Sequence, residues 1–174
     1  MTQPDSVEAS PSRMLQAFGE TPEQMRTELN RAFELFEAAI SDAQPHWLTA
    51  PSEGRWSPAQ VSEHVTLVNE GVAKIVGLLL SDKPLRSVPA EPGETVDGKR
   101  MAPVNLQPGP GSDWAQLEPR WQASHASLAA VAERLDHADL SRRFYHPFLG
   151  ELDAYDWLRM ATYHIRHHRR QLAE

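Results

Sequence analysis

Ser57-Pro58-Ala59-Gln60-Val61-Ser62-Glu63-His64-Val65-Thr66-Leu67-Val68 is the stretch that decides how this chain folds. Ser57 is a helix N-cap, Pro58 suits the first helical position, and Gln60 completes a capping box. Val61, Val65, Val68, Val72, Ile75 and Leu79 then recur at intervals of three and four, the signature of an amphipathic helix with one buried stripe. His64 falls inside that stripe, three residues after Val61 and four before Val68, so its imidazole points inward with the valines. Trp56, just before the cap, is placed to staple the helix entry against Val61 or its neighbours.

The same grammar recurs upstream. Thr21, Pro22 and Gln24 open a helix whose stripe is Met25, Leu29, Phe33, Phe36 and Ile40, ending near Asp42. Residues 1 to about 20, with Pro4, Pro11 and small polar residues, read as a flexible lead-in in which Met14, Leu15 and Phe18 can pack on the body. Downstream, residues 81–112 hold six prolines and four glycines, which forbid a long helix or a central strand. This stretch is expected to carry the chain along the bundle as a crossover, over one end of a cleft. A third helix is expected over about 113–136 on Trp114, Leu117, Trp121, Leu128, Val131 and Leu135. Because of Pro119, its regular part is expected to begin near Glu118 after a separate turn. After a second connection at 137–152, Asp153 caps a fourth helix bearing Trp157, Met160, Ala161, His164, Ile165, His168 and Leu172. No stretch reads as a strand. Four long amphipathic helices make an all-α four-helix bundle of one domain, residues 21–174, with a long crossover between the second and third helices. Such a connection argues against simple up-down-up-down order and allows up-down-down-up order if the loop spans the bundle's length.

Composition narrows the chemistry. The chain has 174 residues, 40% apolar and 24% charged, within the range of one soluble domain with a real core. Its net charge of −7 disfavours nucleic acid as a partner, and no apolar run approaches a membrane span. Met1 to Pro11 has no apolar segment of the signal-peptide kind, so a cytoplasmic location is expected. There is no cysteine, which removes disulfides, thiolate metal ligands and a protein thiol nucleophile. Any metal must then be held by His or carboxylate, and any sulfur chemistry must use sulfur from outside the chain.

Eight histidines therefore carry weight, and four of them lie in the last thirty residues. In His164-Ile165-Arg166-His167-His168, His164 and His168 are four apart and about 40° apart around the helix. His167 lies at the edge of that face, and Gln171 near its middle one turn on. Two inward imidazoles on one helix and His64 on another make a candidate open three-His site for a divalent metal such as zinc, nickel or iron. Three unpartnered polar rings in a core would each cost about 1–3 kcal/mol, which a shared cation offsets. Read singly, His64 is a satisfied core histidine. Arg166, Arg169 and Arg170 are a solvated basic face, Trp121 and Trp157 are core, and Asp153 and Asp156 are capping residues. No Glu follows His164, so the H-E-x-x-H pattern of zinc proteases is absent.

Several of these pieces together resemble one family. Trp56-Ser57-Pro58-Ala59-Gln60-Val61-Ser62-Glu63-His64 resembles the W-S-x-x-x-V-x-x-H opening of the second helix in the DinB/YfiT-like superfamily. His146-Pro147-Phe148-Leu149-Gly150-Glu151-Leu152, then Asp156-Trp157-Leu158, then His164-Ile165-Arg166-His167-His168-Arg169-Arg170-Gln171-Leu172, resemble its H-P-x-x-G-x-L, x-W-L and H-x-x-H-H-x-x-Q-L ending. The likeness runs over about residues 20–173; residues 81–112 match no motif of it. It implies a four-helix bundle, a metal on His64, His164 and His168, a homodimer, and a link to stress or damage responses. It also implies a small-molecule substrate and, for some members, thiol S-transfer using bacillithiol or mycothiol. A metal-dependent hydrolase, with Glu63 or His146 as base, and a non-catalytic metal-binding stress-response protein are the alternatives. His167, His146, Glu63 and Gln171 are the candidates for acid/base or supporting roles around the metal.

Overall fold

The computed structural model describes residues 10–174; the part of the expected lead-in before Ser10 lies outside them. Four long helices form the body: α2 (Pro22–Ala43), α3 (Pro58–Leu79), α4 (Trp114–Ala132) and α5 (Ala154–Arg169), preceded by a short α1 (Pro11–Leu15). Both expected capping boxes are formed. Thr21 Oγ1 accepts from Gln24 N and Ser57 Oγ accepts from Gln60 N, while each glutamine side chain accepts from its cap's own N–H. Asp153 caps α5 by accepting from Asp156 N at 3.0 Å.

Hydrogen bonds between the ends give the order. Ala59 N donates to Trp47 O, so the start of α3 meets the end of α2. Gln60 Nε2 donates to Gly109 O, which brings the start of α4 to the same end, so α3 and α4 run parallel. Arg159 donates to Gly19 O and His46 contacts Leu172 O, so α5 runs parallel to α2. The bundle is therefore up-down-down-up. α3 packs between α4 and α5, and α2 completes the ring against α5 and α4. The core is continuous, with Phe33, Phe36, Val65, Val76, Trp121, Leu128, Leu158 and Ile165 fully buried. No described helix is long and apolar enough to cross a membrane.

Three expectations need correction. Residues 11–18, read as lead-in, form α1 and a 3₁₀ turn at Gln16–Phe18, because Leu15 is buried in the core and Ser12 bonds to α5. The third helix starts at Trp114 rather than near Glu118 and carries Pro119 in its second turn. Packing decides that start. The Trp114 ring stacks edge-on to both Trp47 (5.8 Å) and Trp121 (6.4 Å), which outweighs one lost backbone hydrogen bond. The helix also stops at Ala132, with a 3₁₀ turn at Leu135–His137. Finally, strands exist: β1 (Thr95–Val96) pairs with β2 (Lys99–Arg100), and β3 (Phe144–His146) with β4 (Gly150–Leu152). Two or three residues are too few to show a period of two. The first hairpin nonetheless has a local signal. Asp97-Gly98 supplies the two positive φ angles, 49° and 75°, of a tight primed turn.

The crossover and the second connection are locked together. Gly93 N donates to Pro147 O at 3.0 Å. The Phe148 ring lies so close over Gly93 that a Cβ there would force the ring to shift. The crossover then returns over the start of α3, where a 3₁₀ turn at Val104–Leu106 sits above His64.

Candidate metal centre

His64 is in the second turn of α3, whose N-terminus is pinned by its capping box. His164 and His168 lie in the last two turns of the antiparallel α5. The three rings meet where those helices cross. Centroids are 4.9 Å apart for His64–His164, 4.8 Å for His64–His168 and 4.3 Å for His164–His168. One nitrogen from each ring lies within 4.8 Å of the other two, the only such cluster of potential ligands among the described residues. His64 Nε2 and His164 Nε2 are 3.1 Å apart. Two imidazoles bound at about 2.0–2.1 Å to one tetrahedral zinc would place their nitrogens about 3.3 Å apart, so this spacing fits a shared cation.

The ring tautomers follow from the partners. His64 Nδ1 lies 2.7 Å from the Leu106 carbonyl and His168 Nδ1 lies 2.7 Å from Gln171 Oε1. A carbonyl oxygen only accepts, so both Nδ1 atoms carry the proton and both Nε2 atoms keep a lone pair. That is the outer support by which proteins orient metal-ligating histidines. His164 Nδ1 is buried with no partner. Without a cation, His164 Nε2–H must donate to the His64 lone pair, stranding a second lone pair at Nδ1. A cation between the rings would use one inward lone pair from each of the three, with the His164 proton then on Nδ1, so the donor set fits a divalent metal.

Burial also keeps the rings neutral. It holds His64 below the usual histidine range, against the Leu106 hydrogen bond that favours the charged form. Burial, then the neighbouring His168 and His64, hold His164 well below it. Burial lowers His168 to about 4 despite Gln171, and lowers His146 to about 4 with help from the Arg100 charge. Since these folded-state values lie below the unfolded value of about 6.5, the unfolded chain takes up protons first as pH falls. The stability that neutral burial contributes is complete above about pH 6.5 and drains away towards pH 4. The metal-free protein should lose a few kcal/mol between pH 7.5 and pH 5. A melting temperature that stays flat across that range in a calorimeter would contradict this account of the rings.

The remaining sequence candidates are dispersed. Gln171 is at the site, on His168. His167 is exposed at its edge, 5.0 Å from the His168 ring and stacked on Tyr163. His146 sits on β3 with its ring 5.2 Å from Trp157, and its Nδ1 accepts from the Phe148 and Leu149 amides at 3.1 and 3.2 Å. Glu63 points away from the triad, towards α4. A Cβ on Gly109 would lie 3.7 Å from its carboxylate, and its charge acts on Arg120. Trp56, expected against Val61 or its neighbours, has its ring 4.9 Å from that of His64 and walls the site. Sequence reading missed the Leu106 carbonyl, because a backbone acceptor carries no residue signature.

A family model described as the DinB superfamily matches residues 23–172. The crystal structure of TT2238, a four-helix bundle protein, is similar to this chain with a TM-score of 0.61 and 26% sequence identity, over 88% of this chain and 98% of that one. No curated protein matches the chain.

Proposed function

This chain belongs to the DinB superfamily, and from that premise we propose that His64, His164 and His168 hold one divalent cation and that the loaded protein transfers a low-molecular-weight thiol to an electrophile. The observation that carries the reading is the convergence of three neutral imidazoles with no carboxylate among them. A divalent cation there would lower the pKa of a thiol, supplying at neutral pH the nucleophilic sulfur that a chain without cysteine cannot supply.

The chain's own residues do the positioning. The Leu106 carbonyl and Gln171 aim two imidazole lone pairs at one point. Trp56 covers His64 and reduces access of water from that side. Three protein ligands leave room for a fourth, the pattern of catalytic rather than structural sites. In the reaction a sulfur–carbon bond forms as the bond from that carbon to the leaving group breaks. The thiol proton goes to solvent and the electron pair leaves with the departing group.

Nothing at the triad favours hydrolysis equally. Glu63 faces α4, and His146 Nδ1 is taken up by two backbone amides. The test is a panel of thiols and test electrophiles offered to protein loaded with zinc, nickel or iron, beside a panel of esters, lactones and amides. Conjugation that needs both metal and thiol is the expected result. Turnover of the esters alone would establish the hydrolase, and no turnover of either panel by metal-loaded protein would leave a metal-binding protein without catalysis.

A further inference from the structure

The crossover lies on the bundle without being packed into it. From Ser81 to Asp113 no residue is buried. Leu85 and Leu106 pack partly against the core, while Val88, Val96, Met101 and Val104 stay exposed. Two hydrogen bonds tie residues 84–108 to the rest of the described chain. Gly93 N donates to Pro147 O at 3.0 Å, and His64 Nδ1 donates to Leu106 O at 2.7 Å. Around the first of these, the Phe148 ring covers Gly93 and the Arg100 guanidinium lies 5.2 Å from the centre of that ring. A segment with so little buried apolar surface opens locally at low cost, well before the helices unfold.

The second tie ends on a ring of the triad, in direct contact. His64 Nε2 faces His164, and Nδ1 of the same ring holds the 3₁₀ turn Val104–Leu106 on α3. A cation on Nε2 would draw charge from the ring and make Nδ1–H a better donor. Hydrogen bonds from charged donors are roughly twice as strong as those from neutral ones. The bond to Leu106 therefore strengthens when the triad is occupied, and the docked turn in turn holds the His64 ring in its ligating orientation. Such coupling is reciprocal: the factor by which the cation favours docking is the factor by which docking raises affinity for the cation.

We propose that residues 84–108 are a strap coupled to the metal centre: a cation on His64, His164 and His168 closes it onto α3, and its closure tightens the site. This rests on the cation reading above and goes beyond it by giving the site a moving part. The difference between a neutral and a charge-assisted hydrogen bond sets the coupling at about fivefold.

The test is native-state hydrogen exchange with and without one equivalent of zinc, read at the amides of Gly93, Leu106 and Gln107. The first bonds to Pro147 O and the others lie within the turn, to Pro103 O and Val104 O. These amides exchange by local opening, so a general stabilisation of the fold does not by itself slow them. Zinc should slow them about fivefold in the wild type and leave them unchanged in His164→Ala. Phe148→Ala, which uncovers Gly93 away from the triad, should speed the same amides. It should also weaken zinc binding by up to about fivefold, measured by competition with a chelating dye. Equal exchange rates in wild type with zinc bound and absent, protection that persists in His164→Ala, or unaltered zinc affinity in Phe148→Ala would overturn the coupling. If the wild type retains no zinc at all, the three-His reading fails first and the strap falls with it.

Discussion

His164→Ala should abolish stoichiometric metal binding. Wild-type protein, purified and equilibrated with zinc, nickel or iron, is expected to retain one equivalent by elemental analysis, and the variant close to none. Loss of a supporting group around a metal costs about 10–100-fold in affinity, so loss of a ligand should exceed about 100-fold. Stability gives an independent reading. A cation that binds only the folded chain stabilises it by about 4 kcal/mol at a thousand times its dissociation constant, which moves the melting temperature of a chain this size by about 10 °C. The wild type should show that rise and His164→Ala should not. Full metal content in the variant would mean that the converging rings are not what binds the ion.

The second large effect is far from the site. Asp156, read from the sequence as a helix-start residue, is 4% exposed and joins three segments of chain. Its Oδ1 accepts from Arg159 Nη1 at 2.9 Å and its Oδ2 from Ser12 Oγ at 2.6 Å. Arg159, 7% exposed, also donates from Nε to Gly19 O at 2.7 Å and from Nη2 to Glu20 O at 3.3 Å. The pair thereby ties α1 and the entry to α2 onto α5. Gly19 makes that turn at φ 119°, with its Cα so near Met25 and Gln24 that a Cβ would lie 2.6–2.9 Å from their backbone. Asp156→Ala leaves a buried guanidinium with only carbonyl partners. The expected cost is about 3–5 kcal/mol, or a fall in melting temperature of about 10 °C. Asp156→Asn, which keeps an acceptor oxygen, should cost less. Replacing both Asp156 and Arg159 by leucine should also cost less than Asp156→Ala, because no charge is then stranded. A change under about 2 °C for Asp156→Ala would show that the pair carries little of the docking.

Where the physics is local, the residues announce the structure. Thr21 and Ser57 bond to amides three residues on, so both helix starts are readable from four consecutive letters, and the stripes of α2 and α3 follow from a period of 3.6. His164 and His168 share a face for the same reason. Their meeting with His64, 100 residues away, could be anticipated because all three lie on apolar faces that a bundle must turn inward.

Contacts that cross between elements leave no such mark. The Leu106 carbonyl on His64, Phe148 over Gly93, Arg100 on Phe148 and Asp156 holding α1 each depend on where an irregular segment comes to rest. Sequence alone determined the helices, their buried faces and the donor chemistry, because those depend on residue spacing and side-chain type. The tertiary structure decided which carbonyl orients which ring, which loop closes over which, and that Pro119 would be tolerated within α4. Those outcomes are set by packing between segments distant in the chain, whose energies no local pattern encodes.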